Sequence, residues 1–191
     1  MRNTPLIALV LAVGAIGHAQ SISPQLALAR ICASEEGIER LTDGCAAIHA
    51  VLRNGARRNH MSYVAYARAY SPGVFDGSRR RAWLADLLPD GSQPVRWPAF
   101  VTRRVGDHVE VRRAAPWELY RERWLDLYHH AGLIIRGEIH DLCEIAPVHW
   151  GCPPDPQRQC IDHENATARG WELVRCGDTN NEFWIVPALL E

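Results

Sequence analysis

Leu6 to Gly17 is an unbroken apolar run of twelve residues, preceded by the lone charge of Arg2 and followed by the small-x-small signal Gly17-His18-Ala19. A membrane-spanning helix needs about 20 apolar residues, so this run is short for an anchor. Its layout is that of a secretory signal peptide. Residues 1–19 are therefore expected to be removed and 20–191 to fold as one exported domain. The expected location is the periplasm or the extracellular space, with no stable membrane association after cleavage.

Export decides how the cysteines are read. There are six: Cys32, Cys45, Cys143, Cys152, Cys160 and Cys176. An even number in an oxidising compartment points to three disulfides. Cys152–Cys160 would close a short loop holding Pro153, Pro154 and Pro156. Cys32–Cys45 would tie two successive helices, which leaves Cys143–Cys176. A zinc site is the rival use of cysteines, but the chain has no C-x2-C pair.

Composition narrows the function classes. Apolar residues make up 47% of the chain, enough for a packed core. Every one of the 21 basic residues is Arg. No Lys can form a Schiff base or serve a phosphate-binding loop. The formal net charge is −1, so no global field recruits nucleic acid.

Apolar spacing sets out a mainly α chain of the α+β class. Pro24 to Glu36 reads as a helix capped by Ser23, with Leu26, Ala29, Ala33 and Glu36 on one face and Gly37 ending it. Thr42 or Asp43 can cap a second helix, whose apolar pattern closes at Asn54-Gly55. A third, short helix is expected from Tyr63 to Tyr70, before the Ser71-Pro72-Gly73 turn. Ala99–Val105 and His108–Arg113 flank Gly106-Asp107, a signal for a β-hairpin with a two-residue turn. Pro116 opens the clearest helix, in which Trp117, Tyr120, Trp124, Leu127 or Tyr128, and Ala131 recur at three and four residues. That aromatic stripe suits core packing. Gly132 is a candidate end, with a further helix within Leu133–Ile145. Strand-like stretches follow at Trp171–Arg175 and Glu182–Val186.

Residues 76–116 carry eight arginines against five acids. Such a segment is a solvated face or a surface attracting an anionic polymer.

The sharpest chemical signal is Ala33-Ser34-Glu35-Glu36-Gly37. It sets two carboxyl groups at the end of an otherwise apolar helix. A carboxyl group among apolar neighbours loses hydration and holds its proton more tightly, as a general acid must. A helix C-terminus also disfavours negative charge. Two acids before a glycine equally describe a solvated helix end.

Three segments together resemble a family. The first is Leu28-Ala29-Arg30 leading to Glu36, then Gly44 and Ala47-Ile48-His49-Ala50-Val51-Leu52-Arg53-Asn54. The second is Tyr70-Ser71-Pro72-Gly73-Val74-Phe75. The third is Ala146-Pro147-Val148-His149-Trp150, then Trp171, Gly177-Asp178 and Phe183-Trp184. In this the chain resembles the spore-cortex-lytic (SleB-like) cell-wall hydrolases, which belong with the lysozyme-like lytic transglycosylases. The resemblance covers about 26–75 and 146–184 and leaves an inserted segment around 76–145. It departs from the family in three places. Glu39 stands near the position of a second acid but out of step. Arg53 precedes Asn54 instead of following it. Asn180-Asn181 stands where the family commonly has a His.

The resemblance implies a lysozyme-like helical domain with a small β-hairpin element, monomeric and acting on peptidoglycan glycan strands. It implies Glu36 as catalytic acid/base, with Glu35 as the fallback if the helix phase is off by one. It also implies that Tyr70, Phe75, His149 and Trp150 bind substrate. In the implied mechanism one carboxyl group protonates the oxygen between N-acetylmuramic acid and N-acetylglucosamine. It then accepts the proton of the muramic C6 hydroxyl, which attacks the anomeric carbon. No metal or organic cofactor takes part. Asp43 and Glu39 are the second acids of an ordinary two-acid muramidase, with Asp178 as a distant candidate. Two alternatives stand beside this reading. One is an exported non-catalytic cell-wall binding or inhibitor protein on the same scaffold. The other is a zinc peptidoglycan amidase, invited by the nine His and by His140-x-x-Cys143 but lacking His-Glu-x-x-His.

Overall fold

In a computed structural model, the described residues are 22–38, 43–78, 81–105, 108–151, 161–179 and 181–187. The signal peptide, Glu39, the Gly106-Asp107 turn, the Cys152–Cys160 pairing and Asn180 lie outside them.

Helix α1 (Pro24–Glu35) starts as its sequence dictates: Pro24 opens the first turn and the Ser23 hydroxyl accepts from the Leu26 N–H at 3.1 Å. Gly37, at φ 92°, then turns the chain away. Leu26 to Ala33 are all buried, so α1 is enclosed on every side and not on one face alone. It packs against α2 (Gly44–Arg58), α3 (Tyr63–Tyr70), α4 (Pro72–Asp76) and α5 (Glu118–Ile135). The cost falls on Arg30, whose guanidinium is buried with it. Its Nε and Nη2 donate to the Leu87 carbonyl at 3.2 and 2.7 Å. Burial pushes the Arg30 pKa down to about 10, against the pull of Asp86.

Two glycines mark close approaches and not helix ends. Helix α2 runs past Asn54-Gly55 to Arg58, because Gly55 is where the Tyr66 ring of α3 rests on α2. Helix α5 runs past Gly132 to Ile135, because the Gln25 side chain lies against Gly132 and donates to the Tyr128 carbonyl at 2.8 Å. The end comes instead at Gly137, φ 75°. No separate helix follows in 138–145.

The segment expected as an insertion folds onto α5 through indole groups. After the 3-10 helix Ala82–Asp86, the Trp117 Nε1–H donates to the Gly91 carbonyl at 3.0 Å. The Trp124 Nε1–H donates to the Leu88 carbonyl at 2.8 Å. Trp97 meets Trp83, Trp117 and Tyr120 at ring distances of 5.0, 4.9 and 5.3 Å. Trp117, Trp124 and Leu127 belong to the same buried cluster as α1, so the stripe is core, as its spacing suggested. Strands β1 (Phe100–Val105) and β2 (His108–Arg113) form the expected antiparallel hairpin, from Phe100 opposite Arg113 to Val105 opposite His108.

The C-terminal part forms a second sheet. Strand β5 (Glu182–Ile185) lies between β3 (His149–Gly151) and β4 (Glu172–Val174), antiparallel to both. Helix α6 (Ile161–Ala168) precedes β4 and is tied to β5 by His163 Nδ1 and Glu182 Oε2, 2.7 Å apart. Neither α6 nor β3 follows from the local apolar pattern. The architecture is mainly α within the α+β class.

Disulfides Cys32–Cys45 and Cys143–Cys176 are both formed, the first joining α1 to α2. They suit an oxidising compartment. No described helix is long and apolar enough to cross a membrane.

Candidate functional site

Glu36 is the C-cap of α1, its N–H bonded to the Cys32 carbonyl at 2.8 Å. Only 4% of it is exposed, and among the described residues it is one of three buried polar or charged residues, with Arg30 and Ser71. Glu35, one residue earlier, is half-buried at the end of α1.

A buried carboxyl group needs hydrogen-bond donors. Two come from the other end of the chain. Thr179 Oγ1 donates to Glu36 Oε1 at 2.9 Å, and Asn181 Nδ2 donates to the same oxygen at 2.6 Å. Gly44, the first residue of α2, closes a third side. A Cβ built there would overlap the Glu36 carboxyl group and come within 2.6 Å of Thr179 Oγ1. The carboxyl group thus sits between the C-terminus of α1, which disfavours negative charge, and the N-terminus of α2, which favours it.

The donors are delivered by a turn docked on α2. The Asp43 N–H donates to the Asp178 carbonyl at 3.1 Å, and the Asp178 N–H returns a bond to Asp43 Oδ2 at 2.9 Å. Asp43 spends its carboxylate on that turn and makes no side-chain cap to α2. Gly177, at φ 64°, passes so close to Asp43 that a side chain there would collide with it. Each disulfide borders the arrangement. Cys32 supplies the carbonyl under Glu36, Cys45 follows Gly44, and Cys176 precedes Gly177.

A second cluster lies beside the first. The Tyr70 ring stacks on Trp150 at 4.3 Å, and the Tyr70 hydroxyl is hydrogen-bonded to His149 Nδ1. His149 also meets Trp184 and Trp171, at 5.7 and 5.2 Å between rings. Asn181 immediately precedes β5 and Phe183 pairs with Trp150, so the two clusters attach to β5 positions about 7 Å apart at the rise of a strand. Trp150 and Trp184 are buried, whereas Tyr70, His149 and Trp171 are partly exposed. Phe75 does not join this group; its ring packs on the core with the Arg68 guanidinium 6.0 Å from its centre.

The remaining titratable groups of interest lie elsewhere. His49 is held by Tyr63, whose hydroxyl lies 3.2 Å from Nδ1. Burial and Arg53 push the His49 pKa down to about 4, while Asp141 acts the other way. Burial raises the Tyr63 pKa, so its hydroxyl stays protonated. Cys143 of the His140-x-x-Cys143 pair is in a disulfide and supplies no thiolate. Among the described residues no group of three His, Cys, Asp or Glu side chains is placed to hold a metal.

Of the five expected site residues, Tyr70, His149 and Trp150 come together, Glu36 is bonded to Asn181 just before β5, and Phe75 is not among the rings of that cluster. Thr179 and Asn181 were not singled out as site residues. The sequence signal that pointed to that place was the family's His position, occupied here by Asn180-Asn181. No protein-family model, curated protein or solved structure matches the chain.

Proposed function

We propose that the protein cleaves the glycosidic bond between N-acetylmuramic acid and N-acetylglucosamine in peptidoglycan, with Glu36 as the one catalytic acid/base. The observation carrying this reading is the built environment of Glu36: a buried carboxyl group against the side-chain-free Gly44, with Oε1 accepting from Thr179 and Asn181. The resemblance of the Glu36, Tyr70 and His149-Trp150 segments to the SleB-like hydrolases supplies the substrate class. The half-exposed Tyr70 and His149 offer a polar and aromatic surface suited to a sugar ring. Two disulfides fit an exported, monomeric enzyme of the periplasm or the extracellular space.

In the reaction Glu36 gives its proton to the bridging oxygen as the bond to the anomeric carbon breaks, and the electron pair leaves with that oxygen. The C6 hydroxyl oxygen of the muramic residue bonds to the anomeric carbon. Its proton passes to Glu36, which is restored, and the product carries a 1,6-anhydro end. Asp43 is committed to the 177–178 turn, which favours a one-carboxyl scheme over a paired one.

The 4% exposure of Glu36 favours a second reading, in which the carboxylate is a structural tie and the protein binds cell wall without cutting it. Dye release from labelled peptidoglycan by the native protein and by Glu36→Gln separates the two, with circular dichroism as folding control. The catalytic reading expects release by the native protein and none by a folded Glu36→Gln. The binding reading expects neither to release dye.

A further inference from the structure

Helix α2 turns Gly44 toward the Glu36 carboxyl group and a different face toward the end of α5. On that second face Ala46, His49 and Arg53 recur at three and four residues. Gly137, at φ 75°, turns the chain out of α5 and brings residues 139–141 up to them. A hollow of about 60 Å³ lies between, with apolar walls from Ala46, Ile134 and Ile139.

Its polar walls are Arg53, His49, His140 and Asp141. Among the described residues neither the Arg53 guanidinium nor the Asp141 carboxylate forms a hydrogen bond or an ion pair. Both charges are felt at His49, where Arg53 opposes protonation and Asp141 favours it. Burial acts on the side of Arg53, so His49 is neutral at pH 7. Its Nδ1 lies 3.2 Å from the Tyr63 hydroxyl, and its other ring nitrogen has no partner among the described residues. The hollow therefore carries one positive and one negative charge that do not pair with each other.

A lone anion would meet Asp141 there, and a lone cation would meet Arg53, so both are disfavoured. A molecule with both charges a short distance apart satisfies both walls. The Arg53 guanidinium is a planar fork suited to a carboxylate, and the Asp141 carboxylate accepts from an ammonium group. The volume has room for about four or five water-sized groups, the size of the charged head of an amino acid.

We propose that the hollow between α2 and residues 137–141 binds the zwitterionic head of an α-amino acid, with Arg53 holding the carboxylate and Asp141 the ammonium group. Two sources share this chemistry. One is a free amino acid. The other is a diamino acid in a peptide attached to a glycan strand, which keeps an amino and a carboxyl group on one carbon. Arg53 stands about 14 Å beyond Gly44 at the rise of a helix, within the span of a short peptide on a glycan held at Glu36. The site itself does not depend on Glu36 being catalytic.

The test is a titration of the full exported protein with alanine, propionate and ethylamine, followed by nitrogen-15 correlation spectra. Propionate lacks the amino group of alanine, and ethylamine lacks its carboxyl group. Alanine should shift the signals of residues 46–53 and 139–141 saturably, with a Kd of about 1 mM or below. Propionate and ethylamine should bind at least about tenfold more weakly, and Arg53→Gln and Asp141→Asn should each weaken alanine by a similar factor, with circular dichroism as folding control. No shifts with alanine, propionate or ethylamine binding as well as alanine, or alanine binding unchanged in both variants would overturn the proposal. A muropeptide ending in a diamino acid, with and without acetylation of its free amino group, separates the sources. Tighter binding than alanine, lost on acetylation, assigns the site to the wall peptide, and binding no tighter than alanine assigns it to free amino acids; both outcomes uphold the zwitterion site. A native protein that releases no dye from peptidoglycan refutes the catalytic reading of Glu36 instead and leaves these shifts as they are.

Discussion

Gly44, the first residue of α2, lies so close to the Glu36 carboxyl group at the α1 C-cap that a Cβ on residue 44 would overlap it. Gly44→Ala is a strict test of that relationship. Alanine is the better helix former by about 1 kcal/mol, which favours the variant. Its methyl group must push aside a carboxyl group held by two hydrogen bonds, which costs about 1–3 kcal/mol. The expected outcome is a folded protein with little net change in urea stability and at least tenfold less glycan cleavage, the size of effect that misplacing a reacting group produces. Native-like activity in Gly44→Ala would mean that the carboxyl position does not matter.

The disulfides make a second prediction, because both border the Glu36 arrangement. Each bridge should contribute about 2–4 kcal/mol, chiefly by constraining the unfolded chain. Urea unfolding with and without reductant measures the sum. Cys143 and Cys176 tie down the segment that leads into Gly177-Asp178-Thr179. Cys143→Ser with Cys176→Ser should therefore lose cleavage activity at temperatures where the variant is still folded. Full activity in that folded variant would separate the turn from the site.

His49 gives a prediction about pH. Its pKa in the fold is pushed down to about 4 by burial and by Arg53, with Asp141 opposing. An unfolded chain takes up the proton near 6.5, so the unfolded state binds more protons between these values. The contribution is fully present above about pH 6.5 and is lost as pH falls toward 4. The whole shift corresponds to about 3 kcal/mol by linkage, and partial exposure of the ring reduces it to about 1–2 kcal/mol. Urea stability of His49→Gln relative to native should change by that amount between pH 7 and pH 4.5. A constant difference across that range would show that His49 is solvated in the fold.

The parts of this fold that were legible in the sequence rest on local chemistry. Ser23 and Pro24 start α1, α3 spans Tyr63–Tyr70 as expected, and β1 and β2 pair across the interval their sequence suggested. The Cys32–Cys45 pairing was expected as a tie between successive helices, and Cys143–Cys176 as the pair left over. Glycine was the source of error. Gly55 and Gly132 looked like helix ends, but each is a smooth place where another element comes close, whereas Gly137 and Gly37 are the left-handed stops. Glu36 was visible from its own helix. Its partners were not, because Thr179 and Asn181 stand 143 and 145 positions away and arrive through a turn set by Asp43 and Gly177. Nothing local in Thr179-Asn180-Asn181 announces a buried acceptor.

The central claim is that Glu36 moves a proton onto a glycosidic oxygen. Mass spectrometry of the muropeptides released from purified sacculi tests it most directly. The expected products end in 1,6-anhydromuramic acid, about 18 mass units lighter than the hydrated form because no water enters the bond, and Glu36→Gln should release none of them. Hydrated reducing ends alone would contradict the one-carboxyl scheme, and muropeptides released equally by Glu36→Gln would contradict the role of Glu36 altogether.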